Sequence, residues 1–214
     1  YAIAPSLVGS EMCIRGSSNS LESTNKSYAI AKICGLQLCS SLREQYNFDA
    51  ISLMPTNLYG PGDNFDINNG HVLAALIKKF CDAKDRFQKE VHCWGTGKPY
   101  REFLHVNDFA RASLFALEFW DPEDDLSPRD NLNNPLNFLN VGTGRDISIK
   151  DLAYLIADIV GFEGEIVWDT SKPDGTPKKL LNINRLKSMG WEAKISLKEG
   201  LKSTIDFYRK LKID

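Results

Sequence analysis

Apolar residues recur along this chain with two different periods, and the period changes several times. Through residues 28–46, YAIAKICGLQLCSSLREQY, apolar side chains return at three- and four-residue steps, as at Ala29, Ile33 and Leu36, which predicts a helix. The preceding ESTNKS offers several capping side chains, and residues 10–27 as a whole, rich in Ser, Asn and Gly, read as a surface loop. DAISLMP, residues 49–55, is a short buried strand that Pro55 stops, and residues 56–70, TNLYGPGDNFDINNG, form a long turn-rich loop of the kind that often carries function. Helical spacing resumes at residues 71–84, 105–120, 148–161 (closed by Gly161) and 196–212. Strands are expected at residues 90–97, 136–144 and 164–169, the first two running into glycine turns. Residues 121–135, acidic and proline-bearing, read as a solvated loop without function. Helices alternating with strands predict an α/β fold.

Composition narrows the class. Apolar residues at 43% and charged residues at 25% of 214 suit an ordinary globular protein, and a net charge of −2 gives no reason to expect nucleic acid or an anionic membrane as partner. No apolar run approaches the roughly 20 residues that span a bilayer. The start carries no basic segment leading into an apolar one, so no signal peptide is expected. It lacks a methionine too, so Tyr1 is not expected to be where translation begins. Five cysteines, an odd number without a C-x-x-C pair, suggest reduced thiols and a cytoplasmic location, with Cys34 packed in the core. Three widely spaced histidines give a metal site no support.

One pair of residues raises a question of chemistry. Tyr28 and Lys32 stand one helical turn apart, where an ammonium favours the phenolate and allows the phenol to exchange a proton with a carbonyl or alcohol. Tyr208 and Lys212 share that spacing, so spacing alone does not select either pair. No G-x-G-x-x-G occurs to seat a dinucleotide pyrophosphate, and GTGKP at Gly95 and GTGRD at Gly142 are short glycine turns.

The order of segments separates the pairs. YAIAKICG is followed by PTNLYGPGDNF at residue 55, REFLHVND at residue 101 and KPDGTPKKLL at residue 172. These strings, in this order over essentially the entire chain, resemble the extended short-chain dehydrogenase/reductases, and within them the GDP-L-fucose synthases. The resemblance implies the tail of a Rossmann-type parallel-sheet domain in residues 1–65 and a smaller α/β substrate domain in residues 66–214, with residues 100–145 returning to the first. It also implies NADP(H) as cofactor, a GDP-sugar as substrate and a homodimer with the Tyr28 helix near its interface. The reaction would be epimerisation of GDP-4-keto-6-deoxy-D-mannose at C3 and C5, then reduction at C4 to GDP-L-fucose.

Carried across by residue, the resemblance makes Tyr28 the acid at the C4 oxygen, with Lys32 supporting it and binding the nicotinamide ribose. Pro55, Thr56, Asn57 and Leu58 would lie along the cofactor, Asn57 also along the substrate. His71 would be an acid/base group in epimerisation and a cofactor contact. Lys79, Trp94, Arg101, Asp174 and Lys179 would bind the nucleotide sugar, Arg101 offering a bidentate fork to the pyrophosphate. Two departures stand out: Lys79 occupies a position where the family has arginine, and the family's catalytic serine and cysteine would fall before Tyr1, with the glycine-rich cofactor half. The resemblance therefore implies a C-terminal portion that neither holds NADPH properly nor epimerises alone. A reductase or epimerase of a GDP-6-deoxy-4-keto-heptose, or a non-catalytic GDP-sugar-binding fragment, are the alternatives.

Overall fold

The computed structural model describes residues 26–66, 70–130, 132–136 and 138–212. The first helix, α1 (Lys26–Tyr46), leads into β1 (Leu53–Pro55) and β2 (Asn57–Tyr59); then follow α2 (Val72–Asp85), β3 (Glu90–Trp94), β4 (Tyr100–His105) and α3 (Val106–Phe119). The remainder is β5 (Leu139–Val141), β6 (Asp146–Ser148), α4 (Ile149–Val160), β7 (Glu165–Asp169), β8 (Lys178–Lys179), α5 (Asn184–Ser188) and α6 (Leu197–Leu211). The fold is α/β with parallel pairs β1–β5, β2–β4, β3–β7 and β4–β8, while β6 runs antiparallel to β4.

The expected helices all form, and the strands differ in detail. Only residues 53–55 of the expected strand 49–55 pair, and the predicted loop that follows begins with a second strand. Pro55 has no N–H for a continued ladder. Thr56 N instead donates to Val141 O at 2.9 Å, and the chain then changes partner from β5 to β4. β4, β6, β8 and α5 escape sequence reading: β6, β8 and α5 are only two to five residues long, and β4, β6 and β8 pair with segments distant in sequence.

β4 is a wall shared by two hydrophobic cores. Neighbouring residues of a strand point to opposite faces; accordingly Phe103 joins a core with α2, β3, α4 and α6, while Leu104 joins one with α3, β5, α5 and Trp191. The first is the larger, centred on Phe80, Ile77, Leu73, Leu152, Ile156 and Ile205. Its helices carry their own stop and start signals: Ser148 Oγ accepts from Asp151 N at the start of α4, Gly161 takes the left-handed conformation at its end, and Ser196 with Glu199 closes a capping box on α6.

α1 differs from the other long helices. Of its described residues only Ala29 is buried. Cys34 is accordingly exposed, against the expectation that it packs in the core. The physical reason is that Cys34 shares a face with the exposed Ile30 and Leu38, which none of the described elements covers although it is apolar. Arg43 ties the end of the helix down, donating to Asp49, to Ala50 O and, at 2.9 Å, to Asp121. The acidic segment read as a plain solvated loop thus supplies an anchor for α1. Cys39, Cys81 and Cys93 are free thiols as well, and Cys13 lies outside the described residues. No helix among the described residues is long and apolar enough to cross a membrane.

Candidate active site

The two tyrosine–lysine pairs, alike in sequence, have different surroundings. In each, the lysine ammonium lies 5.4 Å from the centroid of the tyrosine ring. Tyr208 is buried, and its hydroxyl donates to Asp82 Oδ1 at 3.1 Å; Lys212 pairs with Asp82 and Asp85, the latter at 2.8 Å. Burial, reinforced by the Asp82 charge and hydrogen bond, pushes the Tyr208 phenol up to about 12. That pair is a clasp between α6 and α2. Tyr28 is 59% exposed, with Lys32 exposed above it. A phenol in this position is accessible to a ligand.

Strand pairing fixes the segment after β1. Thr56 Oγ1 and Asn57 Nδ2 both donate to Glu102 O, at 3.2 and 2.7 Å, so the Asn57 amide braces β2 against β4. Pro55 ends β1, and Leu58 packs against the core built on Leu104. His71 stands at the N-cap of α2, exposed, and its side chain makes no capping hydrogen bond there. Its ring is thus not used for capping.

A cavity of about 210 Å³ brings together residues far apart in the chain: Trp94, Arg101 and Asp174 line it, with Val72, Gly97 and Gly175. β3 delivers Trp94 and β4 delivers Arg101; β8 sets Lys179 beside Arg101 in register. Trp94 is 56% exposed and so is not a core residue. Lys79 lies 5.3 Å from its ring centroid and Lys172 5.8 Å, a cation–π arrangement. Lys79 also donates to His92 O at 2.9 Å, which holds its ammonium at the edge of β3. Tyr28, Lys32, His71 and Lys79 do not line this cavity.

Arg101 and Asp174 shape its wall. Arg101 Nη1 donates to Thr176 O at 2.6 Å and to Tyr100 O at 2.7 Å, holding the 173–177 loop with one edge of its guanidinium. Asp174 accepts from Thr96 N at 2.8 Å and Thr96 Oγ1 at 2.6 Å, and these bonds hold its carboxyl below the usual carboxylate range. Gly95, at φ 77°, must be glycine here: besides the backbone strain, a Cβ would meet the Asp174 carboxylate.

Sequence reasoning passed over Thr96, Lys172, Glu102 and His105. Thr96 and Lys172 gave no signal beyond their turns. Glu102 was visible as a carboxylate immediately before the run FLHV, and His105 as a residue at the point where a strand becomes a helix. His105 is buried; its Nδ1 accepts from Asn107 N at 3.2 Å to cap α3, and its ring meets that of Tyr59 edge-on. Burial pulls it below the ordinary histidine value, Arg111 reinforcing and Asp108 opposing. A neutral ring is needed for the cap, so this contribution is complete above about pH 6.5, the unfolded value, and is lost as pH falls. Denaturant unfolding should show lower stability at pH 5.5 than at pH 7.5. His105→Asn, a cap that does not titrate, should flatten that slope.

Among the described residues no group of three or more His, Cys, Asp or Glu is placed to hold a metal ion. Comparison with known proteins adds three relatives. Over 191 residues the chain is 49% identical to probable GDP-L-fucose synthase 1 of Oryza sativa subsp. japonica, covering 89% of this chain and 54% of the relative. The chain thus spans about half the length of the curated relatives it matches. A solved GDP-6-OMe-4-keto-L-xylo-heptose reductase from C. jejuni superimposes with a TM-score of 0.79 at 34% identity, over 91% of this chain and 64% of that one. A GDP-L-fucose synthetase from Naegleria fowleri bound to NADP gives 0.80 at 25% identity, over 99% and 63%. The model of the NAD dependent epimerase/dehydratase family matches residues 9–127, more than half of the chain. With this match and these relatives, the chain belongs to the NAD dependent epimerase/dehydratase family.

Proposed function

We propose that this chain carries the proton-transfer pair and the nucleotide-sugar site of an NADPH-dependent epimerase-reductase that converts GDP-4-keto-6-deoxy-D-mannose to GDP-L-fucose. The observation that carries the reading is the convergence of Trp94, Arg101 and Asp174 on one cavity, with an exposed Tyr28 stacked under Lys32 elsewhere on the chain. In this reading residues 1–65 belong to the cofactor domain and residues 66–214 mainly to the sugar domain, with residues 100–145 returning to the former.

The parts divide by charge. Arg101, Lys179 and Lys172 supply cations for a diphosphate, and the open face of Trp94 suits a planar base. Asp174, already committed to Thr96, acts by holding the cavity wall. Tyr28 donates its proton to the C4 oxygen as the ketone becomes an alcohol, and the Lys32 ammonium stabilises the phenolate left behind. The residues present fit the nicotinamide and ribose end of NADP(H): Tyr28, Lys32 and the Pro55–Thr56–Asn57–Leu58 segment would hold it, whereas the sequence contains no glycine-rich pyrophosphate turn. When bound, that cofactor supplies the hydride for C4. His71, exposed and not spent on capping, returns or removes a proton at C3 or C5, whose hydrogens the 4-keto group acidifies. A homodimer and a cytoplasmic location complete the reading, the exposed Ile30 and Leu38 of α1 and the free thiols supporting them.

A heptose derivative is the second reading. It is favoured by Lys79, which replaces the expected arginine and gives its ammonium to His92 O, and by the heptose reductase among the relatives. Incubating the full-length protein with NADPH and each 4-keto sugar, and resolving the products by NMR, distinguishes the two. Formation of GDP-L-fucose supports the first, exclusive turnover of the heptose the second, and no oxidation of NADPH with either rejects both. His71→Asn should slow solvent-deuterium incorporation at C3 and C5 about 100-fold and C4 reduction far less. Equal losses in the two steps would remove His71 from its role.

A further inference from the structure

We propose that Glu102 is a positioning residue that sets the spacing between the Thr56–Asn57 segment and the strand carrying Lys179, an inference that rests on the reading above. Glu102 touches neither substrate nor cofactor, being fully buried between Arg101 and Phe103 on β4. Glu102 nevertheless gathers three distant pieces of chain, two through its carboxylate and one through its backbone carbonyl. Oε1 accepts from Thr143 N at 2.6 Å, from Gly144 N at 2.7 Å and from Thr143 Oγ1 at 3.3 Å. Oε2 accepts from Leu181 N at 2.8 Å, two residues past Lys179. Its backbone carbonyl, as described, takes both Thr56 Oγ1 and Asn57 Nδ2.

The geometry is built for an anion. Three backbone N–H groups and a hydroxyl converge on a carboxylate that, among the described residues, has no cation in hydrogen-bonding contact, and such bonds to a charged acceptor are the strong ones. Burial raises the Glu102 carboxyl above its ordinary value while those donors pull it back. Gly142 leaves the space the carboxylate needs, because a Cβ there would run into Oε1. A residue whose only task was to fill the core would be apolar here, as Phe103 and Leu104 are. What the carboxylate adds is a fixed relation between the turn after β5, the exit of β8 and, through its own backbone, the start of β2.

Glu102→Gln is the informative variant, because it keeps the volume and changes one donor–acceptor pairing. If the amide oxygen stays with Thr143 and Gly144, the amide N–H₂ faces Leu181 N, donor against donor, and the exit of β8 is released. In the full-length protein, the expected result is a KM for GDP-4-keto-6-deoxy-D-mannose raised about tenfold, with kcat and the KM for NADPH within about twofold of the parent. Titration with GDP alone should show the same tenfold loss of affinity. Gly142→Ala, which displaces the carboxylate from the other side, should reproduce the pattern, and Thr143→Val, which removes the 3.3 Å bond and the hydroxyl's local bonds to Arg145 but leaves all three backbone donors in place, should not.

A role limited to stability predicts something else: a lower melting temperature, with KM and GDP affinity unchanged in the folded fraction. That result overturns the proposal, as does an equal fall in kcat for every substrate. Absence of turnover in the parent protein would reject the functional reading, while GDP affinity would still report on Glu102. If neither the parent nor the variant bound GDP, both would fall.

Discussion

Tyr28→Phe in the full-length protein should lower kcat for C4 reduction by about 10²- to 10⁴-fold while leaving nucleotide-sugar affinity within a few-fold. The substitution removes one oxygen from an exposed ring and disturbs no described hydrogen bond, so the loss reads the proton donor rather than the fold. Lys32→Met should follow it in direction, because the phenolate then forms without an ammonium beside it. The matched control is Tyr208→Phe, in the pair with the same spacing. It should leave turnover unchanged and cost about 1 kcal/mol of stability through the lost bond to Asp82. Stopped-flow absorbance of NADPH oxidation, with denaturant unfolding alongside, separates the two. Turnover preserved in Tyr28→Phe, or lost in Tyr208→Phe, would mean that the wrong pair has been given the chemistry.

The largest stability effect should come from Asp108, two residues into α3. Its carboxylate is fully buried and accepts from Lys194 N at 3.0 Å and from Ile195 N at 2.8 Å, while Arg111 pairs with it from one turn on. It therefore fastens the segment entering α6 to the start of α3, and it sits where an acid also favours the helix dipole. Asp108→Ala leaves two backbone donors without an acceptor. We expect a loss of about 3–5 kcal/mol, measured by urea unfolding. Asp108→Asn, which keeps one acceptor oxygen, should lose less than the alanine variant. Equal stability of Asp108→Ala and the parent would show that water replaces the carboxylate at Lys194 and Ile195.

Much of the fold was legible because long amphipathic segments announce themselves locally. The helices over residues 71–84, 105–120, 148–161 and 196–212 have periodic apolar faces and recognisable ends, such as Ser196 with Glu199 and the left-handed Gly161. Three-residue strands carry no such signal. β2 looks like a loop because TNLYGP is turn-rich, and it becomes a strand only because Phe103–Leu104–His105 lie alongside with free backbone groups. Cys34 was misplaced for the related reason that an apolar period shows which face could be buried, not whether anything covers it.

The candidate site divides in the same way. Residue strings alone placed this chain within a family of short-chain epimerases and singled out Tyr28, Lys32, His71, Trp94, Arg101 and Asp174. The family assignment agrees with the matched relatives. Side-chain chemistry is a property of residue type, and uncommon strings in a fixed order can be read without any coordinates. Sequence could not say which of two identical Tyr–Lys spacings is exposed, nor that Trp94 lies open between two lysines. It could not say that Glu102 is a buried anchor rather than a surface charge. Those points depend on burial and on hydrogen bonds between residues 40 to 90 positions apart, such as Glu102 with Leu181 and Asp108 with Ile195. Such contacts exist only once the chain has closed on itself, and there the tertiary structure alone decides.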